Sequence, residues 1–371
     1  MAGENVLNVS GSGLEVLRDI PVGLRQLNCG SNQLTVLPPL PDSLEKLLCY
    51  RNQLTVLPPL PDSLDRLHCE YNKLTALPPL PSSLRELKCN LNRLKVLPPL
   101  PASLRELSCS GNYLTVLPPL PRNLSHLDCP GNQLTVLPPL PDSLDRLDCY
   151  MNQLIALPPL PDRLTQLWCF NNRLKELPPL PNTLTQLMCN GNKLTVLPPL
   201  SDSLTHLSCD HNRLTVLPPL PDSLRDLACT NNQLTVLPPL PDSLTSLDCG
   251  YNPFIAPFDE FVREYNITRN MVVLRRQIND YYAYQREAKR AGRNLMTLKS
   301  TVANSYPENV QAYIGSYLSG KRGTLPQQVI QLKANASHIP GAPGVSRRSR
   351  KSNTRKSKAR KSKARKSKAR K

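Results

Sequence analysis

Cysteine is the most reactive side chain in this sequence, and all 12 cysteines stand in one column, twenty residues apart, from Cys29 to Cys249. A thiol can form a disulfide, hold a metal ion or fill an apolar core. The spacing lacks the clustered C-x-x-C pattern of a metal site. If successive copies lie side by side, their Cβ atoms point in parallel, which favours buried free thiols over the disulfide and metal alternatives. We therefore expect a reducing compartment, in the cytoplasm or nucleus of a host cell or in a virion.

The other reactive side chains form no catalytic constellation in the sequence. None of the histidines belongs to a Ser/His/Asp or H-E-x-x-H arrangement, and there is no Gly-rich phosphate loop. Asp128, Asp145 and Asp148 form an acidic strip, but a calcium site needs more converging oxygens than a flat strip offers. We expect a protein that is not an enzyme and that uses no metal or cofactor. The five histidines are His68, His126, His206, His211 and His338.

Positive charge is concentrated at the C-terminus. The net charge is +18, and residues 345–371 hold 15 Lys or Arg and no acid, so the rest of the chain carries 18 − 15 = +3. Such a tail attracts polyanions by counterion release, with an affinity that falls as salt rises. This favours nucleic-acid binding or nuclear targeting; an anionic membrane surface and simple solubility are the alternatives. The basic residues are Arg347, Arg348, Arg350, Lys351, Arg355, Lys356, Lys358, Arg360, Lys361, Lys363, Arg365, Lys366, Lys368, Arg370 and Lys371.

The cysteine column is one part of a strict repeat, L-x-x-L-x-C-x-x-N-x-L, that recurs every twenty residues without insertion or deletion. Apolar residues alternate at the end of L-x-x-L-x-C, so Leu47 and Cys49 face one side. Leu48 and Tyr50 face the other. The alternation predicts one short strand in each repeat, stacked in parallel on the next. Asn52 and its equivalents stand where the chain leaves the sheet, and an amide can donate to and accept from turn backbone.

The return leg of each repeat, Leu-Thr-Val-Leu-Pro-Pro-Leu-Pro, cannot be a helix, because its prolines lack N–H donors and bias their neighbours toward extended geometry. It should be polyproline-like, with leucines such as Leu54 and Leu57 closing the interior. No apolar run reaches the length of a membrane span. Residues 1–7 show no charged and apolar regions of a secretory signal, so secretion by that route is not expected.

The repeat resembles the LPX class of leucine-rich repeats, whose twenty-residue units contain L-P-x-L-P. That class is best known in bacterial YopM/IpaH-type effectors, and similar arrays occur in giant-virus proteins. The resemblance covers residues 5–258 and implies a solenoid with parallel strands on its concave face and an extended convex side. IpaH-type effectors also carry a ubiquitin-ligase domain with a nucleophilic Cys. No Cys follows Cys249, so the resemblance does not extend to that activity.

The sequence predicts three regions. Residues 5–258 are a solenoid of about 13 repeats, 259–337 are α-helical, and 338–371 are a linker and a disordered basic tail. From Phe258 onward, apolar residues recur at helical spacing, and the first helix should cover the open end of the solenoid. The predicted helices span 257–266, 268–291, 294–303, 307–318 and 324–335.

A shorter resemblance lies at residues 305–320. Pro307-Glu308-Asn309-Val310, followed by Ile314-Gly315-Ser316-Tyr317-Leu318, looks like the core of an F-box, a helical module that docks substrate receptors onto a cullin ubiquitin ligase. The resemblance implies a ubiquitin-ligase adaptor as a partner. The alternative is an ordinary amphipathic helix in a capping bundle.

The columns on either side of the cysteine vary freely between copies, whereas the framework columns hardly vary. These variable columns should lie on the concave face, where solenoids bind partners. Large apolar residues there have the composition of a protein-binding hot spot, although chance scatter among twelve copies is the alternative. The main candidates are Tyr150, Met151, Trp168, Phe170 and Met188. A smaller group is Leu48, Tyr50 and Tyr71.

Together these features favour a non-enzymatic scaffold that binds a protein on its concave face and carries a polycationic tail. Two alternatives remain. One is a substrate receptor of a host ubiquitin ligase that docks through residues 305–320. The other is a virion- or DNA-associated protein driven by the tail.

Overall fold

The computed structural model describes residues 5–291, with side chains up to residue 286. Thirteen strands of three residues each form one parallel sheet in which every strand pairs with its neighbours in the chain. Each strand from β2 onward ends directly before a cysteine, as the alternation predicts. The strands are β1 (Val6–Asn8), β2 (Gln26–Asn28), β3 (Lys46–Leu48), β4 (Arg66–His68), β5 (Glu86–Lys88), β6 (Glu106–Ser108), β7 (His126–Asp128), β8 (Arg146–Asp148), β9 (Gln166–Trp168), β10 (Gln186–Met188), β11 (His206–Ser208), β12 (Asp226–Ala228) and β13 (Ser246–Asp248).

The core is a stack of identical layers of leucine and cysteine. In the third coil, Leu44, Leu47, Cys49 and Leu54 are fully buried, and the same positions are buried in the coils that follow, except that Phe254 in the last coil is half-buried. All 12 cysteines are free and buried. The interpretation of the column as core-filling thiols is therefore confirmed, and the disulfide alternative is wrong, because neighbouring side chains stack in parallel.

An asparagine ladder ties the coils together at the end of each strand. Asn52 Oδ1 accepts from the backbone N of Leu34 at 2.9 Å, and its Nδ2 donates to the carbonyls of Cys29 and Cys49 at 3.0 and 3.2 Å. The same bonds recur in each later coil up to Asn252. The predicted role of this amide is confirmed, and it satisfies backbone groups that would otherwise be buried without partners.

A second ladder was not predicted. Ser63 Oγ donates to the carbonyl of Leu44, one coil earlier, at 2.7 Å, and Ser83 and Ser103 make the equivalent bonds. The signal in the sequence is the serine that recurs just before the first leucine of most repeats. The proline legs contain neither helix nor strand, in agreement with the predicted extended convex side.

Two helices close the C-terminal end of the solenoid: α1 (Phe258–Thr268) and α2 (Met271–Ala291). Phe258, the first residue of α1, is fully buried, and its ring centroid lies 5.0 Å from that of Tyr281 on α2. Asn279 of α2 makes bonds of 3.1 and 3.2 Å to the N and O of Leu240, and Tyr282 Oη donates to Leu237 O at 2.8 Å. The end is thus covered by α2 as well as by α1, which alone was expected to do so.

The predicted helices 257–266 and 268–291 are shifted by up to three residues in the structure. Neither α1 nor α2 combines the length and hydropathy that a membrane-spanning helix requires. The predicted helices after residue 291, the F-box-like stretch at 305–320 and the basic tail lie outside the described residues.

Candidate functional site

The candidate site lies on what we call the sheet face: the outward residues of each strand and the residue that follows each cysteine. In the third coil these are Lys46, Leu48 and Tyr50, which alternate with the buried Leu47 and Cys49. Twelve copies of the same backbone thus present twelve different sets of outward side chains. Any recognition on this face depends on which side chains fall on neighbouring strands.

The main candidates come together across β8, β9 and β10, and we call them the aromatic cluster: Tyr150, Met151, Trp168, Phe170 and Met188. The rings of Tyr150 and Phe170 stack with centroids 4.2 Å apart and an angle of 8° between their planes. Trp168 is in register with Met188 on the next strand. Met151 is 55% exposed, whereas the other four are half-buried by their neighbours. The cluster is therefore packed, with apolar surface still open to a partner.

The guanidinium of Arg146, on β8, contacts the face of the Trp168 ring. The Cζ atom of Arg146 lies 4.8 Å from the centroid of the Trp168 ring. The same guanidinium donates to Asp148 Oδ2 from Nη2 at 2.7 Å and from Nε at 3.1 Å. A cation on the face of an aromatic ring is attracted to it, and a two-nitrogen contact to a carboxylate restrains the guanidinium. Arg146 therefore restrains the orientation of Trp168.

Two polar atoms beside this contact are buried and have no hydrogen-bond partner among the described residues. They are Oδ1 of Asp148, a residue that is only 4% exposed, and Nε1 of Trp168. Asp148 and Trp168 are in register on adjacent strands. Buried polar groups usually have partners, so an unpaired acceptor and an unpaired donor side by side mark this part of the face as unusual.

Two residues of the acidic strip, Asp128 and Asp148, line a depression of about 220 Å³ on β5–β8, whereas Asp145 does not. Asp128 and Asp148 are in register, and Ser108 Oγ donates to Asp128 Oδ2 at 2.6 Å. Burial raises the pKa of Asp128, the Ser108 bond opposes that rise, and the negative charge of Asp148 adds to it. Burial also raises the pKa of Tyr150, and the charges of Asp128 and Asp148 add to that shift.

The neighbouring strands β4 and β5 carry a compensated charge network. Glu86 Oε1 lies 2.8 Å from His68 Nε2 and 2.7 Å from Lys88 Nζ, and Arg66 approaches the other carboxylate oxygen at 3.5 Å. Burial alone would raise the pKa of Glu86, but the hydrogen bonds from Lys88 and His68 outweigh it, and the pKa is lowered. This carboxylate is fully engaged within the protein.

The smaller predicted group is not one cluster. The Tyr50 ring covers Gly30, where an added Cβ would lie 2.5 Å from Tyr50 Cζ. Tyr71 is 48% exposed and lies under the guanidinium of Arg51, with Cζ 5.2 Å from the ring centroid. Leu48 is half-buried on β3. Tyr50 and Tyr71 contact different neighbours, so this group does not form one apolar surface like the aromatic cluster.

The residue two positions after each cysteine adopts a left-handed backbone conformation, with φ between 51° and 64° in all twelve copies. Glycine and asparagine suit this conformation, and they occupy five of the copies. Tyr71, Leu91, Met151 and Tyr251 occupy it with large apolar side chains, at a cost in backbone strain. The recurring Gly and Asn in this column were the signal from which the strain could have been predicted.

The structure also assembles a serine, a histidine and an aspartate that sequence spacing did not connect, because the aspartate comes from the next coil. Ser125 Oγ lies 2.9 Å from His126 Nδ1, and His126 Nε2 lies 3.4 Å from Asp145 Oδ1. However, Asp145 Oδ1 makes no hydrogen bond, and the Ser125 hydroxyl also has the Arg105 carbonyl as an acceptor at 3.2 Å. A hydroxyl directed at the backbone is not activated as a nucleophile. Among the described residues, no three His, Cys, Asp or Glu side chains are arranged to hold a metal ion.

The repeat region of this chain is similar to known leucine-rich-repeat proteins, among them bacterial effectors. A Leucine Rich Repeat family model matches residues 103–124. YopM from Yersinia enterocolitica WA-314 is 35% identical over 64% of this chain and 58% of its own, with a TM-score of 0.62. YopM from Yersinia pestis is 32% identical over 67% of this chain and 84% of its own, with a TM-score of 0.54.

A Shigella effector leucine-rich-repeat domain is 35% identical over 38% of this chain and 63% of its own, with a TM-score of 0.35. The match to the Yersinia enterocolitica protein covers 58% of that protein, so this chain spans less than two thirds of its length. No curated protein sequence matches it significantly.

Proposed function

This chain belongs to the leucine-rich-repeat family, and we propose that it is a non-enzymatic scaffold that binds a protein partner through the aromatic cluster. The leucine-rich-repeat solenoid is a fold typical of protein-interaction scaffolds. The observation that carries the proposal is the concentration of large, partly open apolar side chains on β8–β10, on a framework that is otherwise the same in every coil. Such residues at the centre of an interface supply most of its binding energy.

Preorganisation of the cluster supports this function. Tyr150 and Phe170 hold each other in a stack, and Arg146 holds Trp168. Side chains that are already restrained lose little conformational entropy when a partner covers them. Burial of these rings by a partner would therefore contribute to the binding free energy with little entropic cost for ordering them.

The strained backbone at Met151 also supports a role for this residue in partner binding. The equivalent positions Gly131 and Asn171 in the adjacent coils carry residues that tolerate a left-handed conformation, yet position 151 carries an exposed methionine with φ of 53°. A large L-residue there costs about 1–2 kcal/mol. Its exposed side chain contributes little to the core, so we attribute its presence to recognition.

Photo-cross-linking tests the location of the partner site. The photoreactive amino acid p-benzoylphenylalanine replaces Met151 in one full-length protein and His211 in a matched control, which has the same backbone conformation three coils further on. Irradiation in an extract of the host should give a discrete adduct from position 151 and none from position 211. Equal labelling from both positions, or labelling from position 211 alone, would contradict the proposal.

The basic tail supports a second activity, the binding of a polyanion. The 15 Lys and Arg between residues 345 and 371, without a single acid, supply the electrostatic basis. Truncation at Gly344 should abolish salt-sensitive retention on immobilised duplex DNA, and retention by the truncated chain would exclude this role. The free thiols support a reducing compartment as the place of action, and the basic tail is compatible with the cytoplasm or the nucleus.

The role of ubiquitin-ligase substrate receptor depends on the F-box-like stretch at 305–320. Ile314→Asp with Leu318→Asp in the full chain should remove a co-purifying cullin adaptor and leave the solenoid intact. Failure of the unaltered chain to co-purify any adaptor would exclude this role.

A further inference from the structure

Asp128 is a partly buried acid of the sheet face without an ion-pair partner among the described residues. Glu70 and Asp210 also lack one, but of the three only Asp128 lines the depression between β5 and β8. Glu86 and Asp148 each have a basic side chain within 2.8 Å. Among the described residues, no Lys, Arg or His lies within ion-pair distance of Asp128, whose only hydrogen bond comes from the neutral hydroxyl of Ser108. A partly buried carboxylate without a close counter-charge is unfavourable, because burial removes hydration and one neutral hydroxyl replaces only part of it.

The nearby basic side chains compensate Asp128 only in part, because each makes a closer contact with another carboxylate. Burial raises the pKa of Asp128 by more than the charge of Arg146 lowers it. Arg146 is bound to Asp148 Oδ2, and Lys88 is bound to Glu86. Asp148, itself in register with Asp128, adds a second negative group with an unpaired and buried Oδ1.

Asp128, Asp148, Glu106 and the Ser108 hydroxyl line a depression of about 220 Å³. Its basic lining residues are Lys88, Arg146 and His126, and His126 Nε2 lies 3.4 Å from Asp145 Oδ1. The volume of the depression suits the end of one side chain and is smaller than a typical site for a drug-sized ligand.

We propose that this depression receives a basic side chain, Lys or Arg, of the protein partner, with its cationic group between Asp128, Asp148 and Ser108. This inference rests on the proposed function, because the depression adjoins the aromatic cluster on the same face. A cation would neutralise Asp128 and donate a hydrogen bond to Asp148 Oδ1 after a small movement of the surrounding side chains. An ordered water could satisfy Asp148 Oδ1, but it would leave the charge of Asp128 uncompensated.

The distance between this depression and the aromatic cluster predicts how far apart two residues of the partner must be in its sequence. Asp128 lies on β7 and Phe170 follows β9, so the two are separated by two strand spacings, about 10 Å. An extended chain rises about 3.3 Å per residue, so about three residues bridge that distance. The partner segment should therefore carry its basic residue about three positions from an aromatic or long aliphatic residue that covers the Tyr150–Phe170 stack.

A random heptapeptide phage library, selected on the immobilised full-length protein, provides the probe. Synthetic copies of the selected peptides are then titrated against the free protein and followed by fluorescence of Trp168, the only tryptophan. Asp128→Asn removes the charge and keeps the shape. The matched control is Asp226→Asn, another sheet-face acid, whose partner is His206 at 2.9 Å.

We expect the selected peptides to be enriched in Lys or Arg about three positions from an aromatic or leucine residue. Asp128→Asn should weaken peptide binding about tenfold or more, because a hydrogen bond between two charged groups contributes more binding energy than a neutral one. Asp226→Asn should change the peptide affinity by less than about twofold. Asp128→Asn should also leave the midpoint of urea unfolding unchanged or raise it, which a purely structural role for this charge would not do.

Three other results would overturn the assignment in different ways. Peptides that lose affinity with Trp168→Ala but show no basic residue would remove the cation pocket and leave the proposed function intact. Peptides indifferent to both Trp168→Ala and Asp128→Asn would contradict the proposed function itself. A basic preference seen only after all 15 basic residues of residues 345–371 are changed to Gln would identify the chain's own tail as the occupant, instead of a partner.

Discussion

Two sections of the sheet face are built on the same coil and present different surfaces. The section at β7–β10 carries two aspartates, Trp168 and Met188 before its cysteines, whereas the section at β11–β13 carries Ser208, Ala228 and Asp248. Beneath both, the leucines, the cysteines and the asparagine ladder are the same. The residues that stabilise the fold and the residues that we propose bind a partner therefore occupy separate columns of this repeat. Changes to the framework should act alike in both sections, and changes to the sheet face should not.

The largest expected effect concerns the framework under both sections and appears at alkaline pH. Burial raises the thiol pKa from the ordinary 9.0, to about 12 for Cys29, Cys169 and Cys249 and well above the ordinary value for others such as Cys209. Below about pH 9 the thiols are protonated in both states, and stability is complete. Above it the unfolded chain ionises first, so the free energy of unfolding falls by about 1.4 kcal/mol for each thiol and each pH unit. For all twelve thiols together the limiting slope is about 16 kcal/mol per pH unit.

Urea unfolding between pH 8 and 10 measures this slope. Cys169→Ala and Cys209→Ala, one from each section, should each reduce it by about one twelfth. A stability that does not change with pH in this range would mean that the thiols are not shielded in the folded protein.

Removal of one rung of the asparagine ladder should have the next largest effect. Asn172→Ala removes bonds of 3.0 Å to Leu154 N and to the carbonyls of Cys149 and Cys169, all of them buried. We expect a loss of about 3 kcal/mol in the free energy of unfolding, measured in urea, because buried backbone groups are left unpaired. Asn212→Ala, the same rung in the other section, should cost the same within about 1 kcal/mol. A much larger loss in one section would show that the framework is not uniform.

Relief of backbone strain should give a small gain in stability. Met151→Asn places a residue that tolerates left-handed geometry at φ of 53°, so the free energy of unfolding should rise by about 0.5–1 kcal/mol. His211→Asn, in the other section, should gain less, because histidine tolerates this conformation better than methionine. Partner affinity should fall only for Met151→Asn. If Met151→Asn is destabilising, the methionine contributes to packing and our reading of its role is wrong.

The framework could be predicted from the sequence because it repeats. One period places Leu47, Cys49 and Asn52, and eleven further copies repeat the same geometry. The Asn ladder followed from an amide at a turn, and the free thiols followed from parallel Cβ atoms. The serine ladder at Ser63 and the left-handed position of Tyr71 were equally periodic, but no physical demand for a hydroxyl or for positive φ was recognised in the pattern.

The candidate site could be predicted only in outline. Residue columns brought Trp168, Phe170 and Tyr150 onto one face, but side-chain rotamers decide that Phe170 stacks on Tyr150 and that Trp168 faces Arg146. Likewise, nothing in the sequence distinguishes Asp128, which lacks a cation, from the engaged Asp148. Such pairings form between side chains of neighbouring coils, and the residue types vary from coil to coil at both positions of each pair.

An alanine scan of the sheet face tests the central claim most directly. Each outward residue before or after Cys49 through Cys229 is changed singly in the full-length protein, and affinity is measured for the partner captured by cross-linking at position 151. The account predicts losses of about 2 kcal/mol or more at Trp168 and Phe170, and changes below about 0.5 kcal/mol at Ser208 and Thr230. Losses spread evenly along the face, or concentrated at β11–β12, would contradict it.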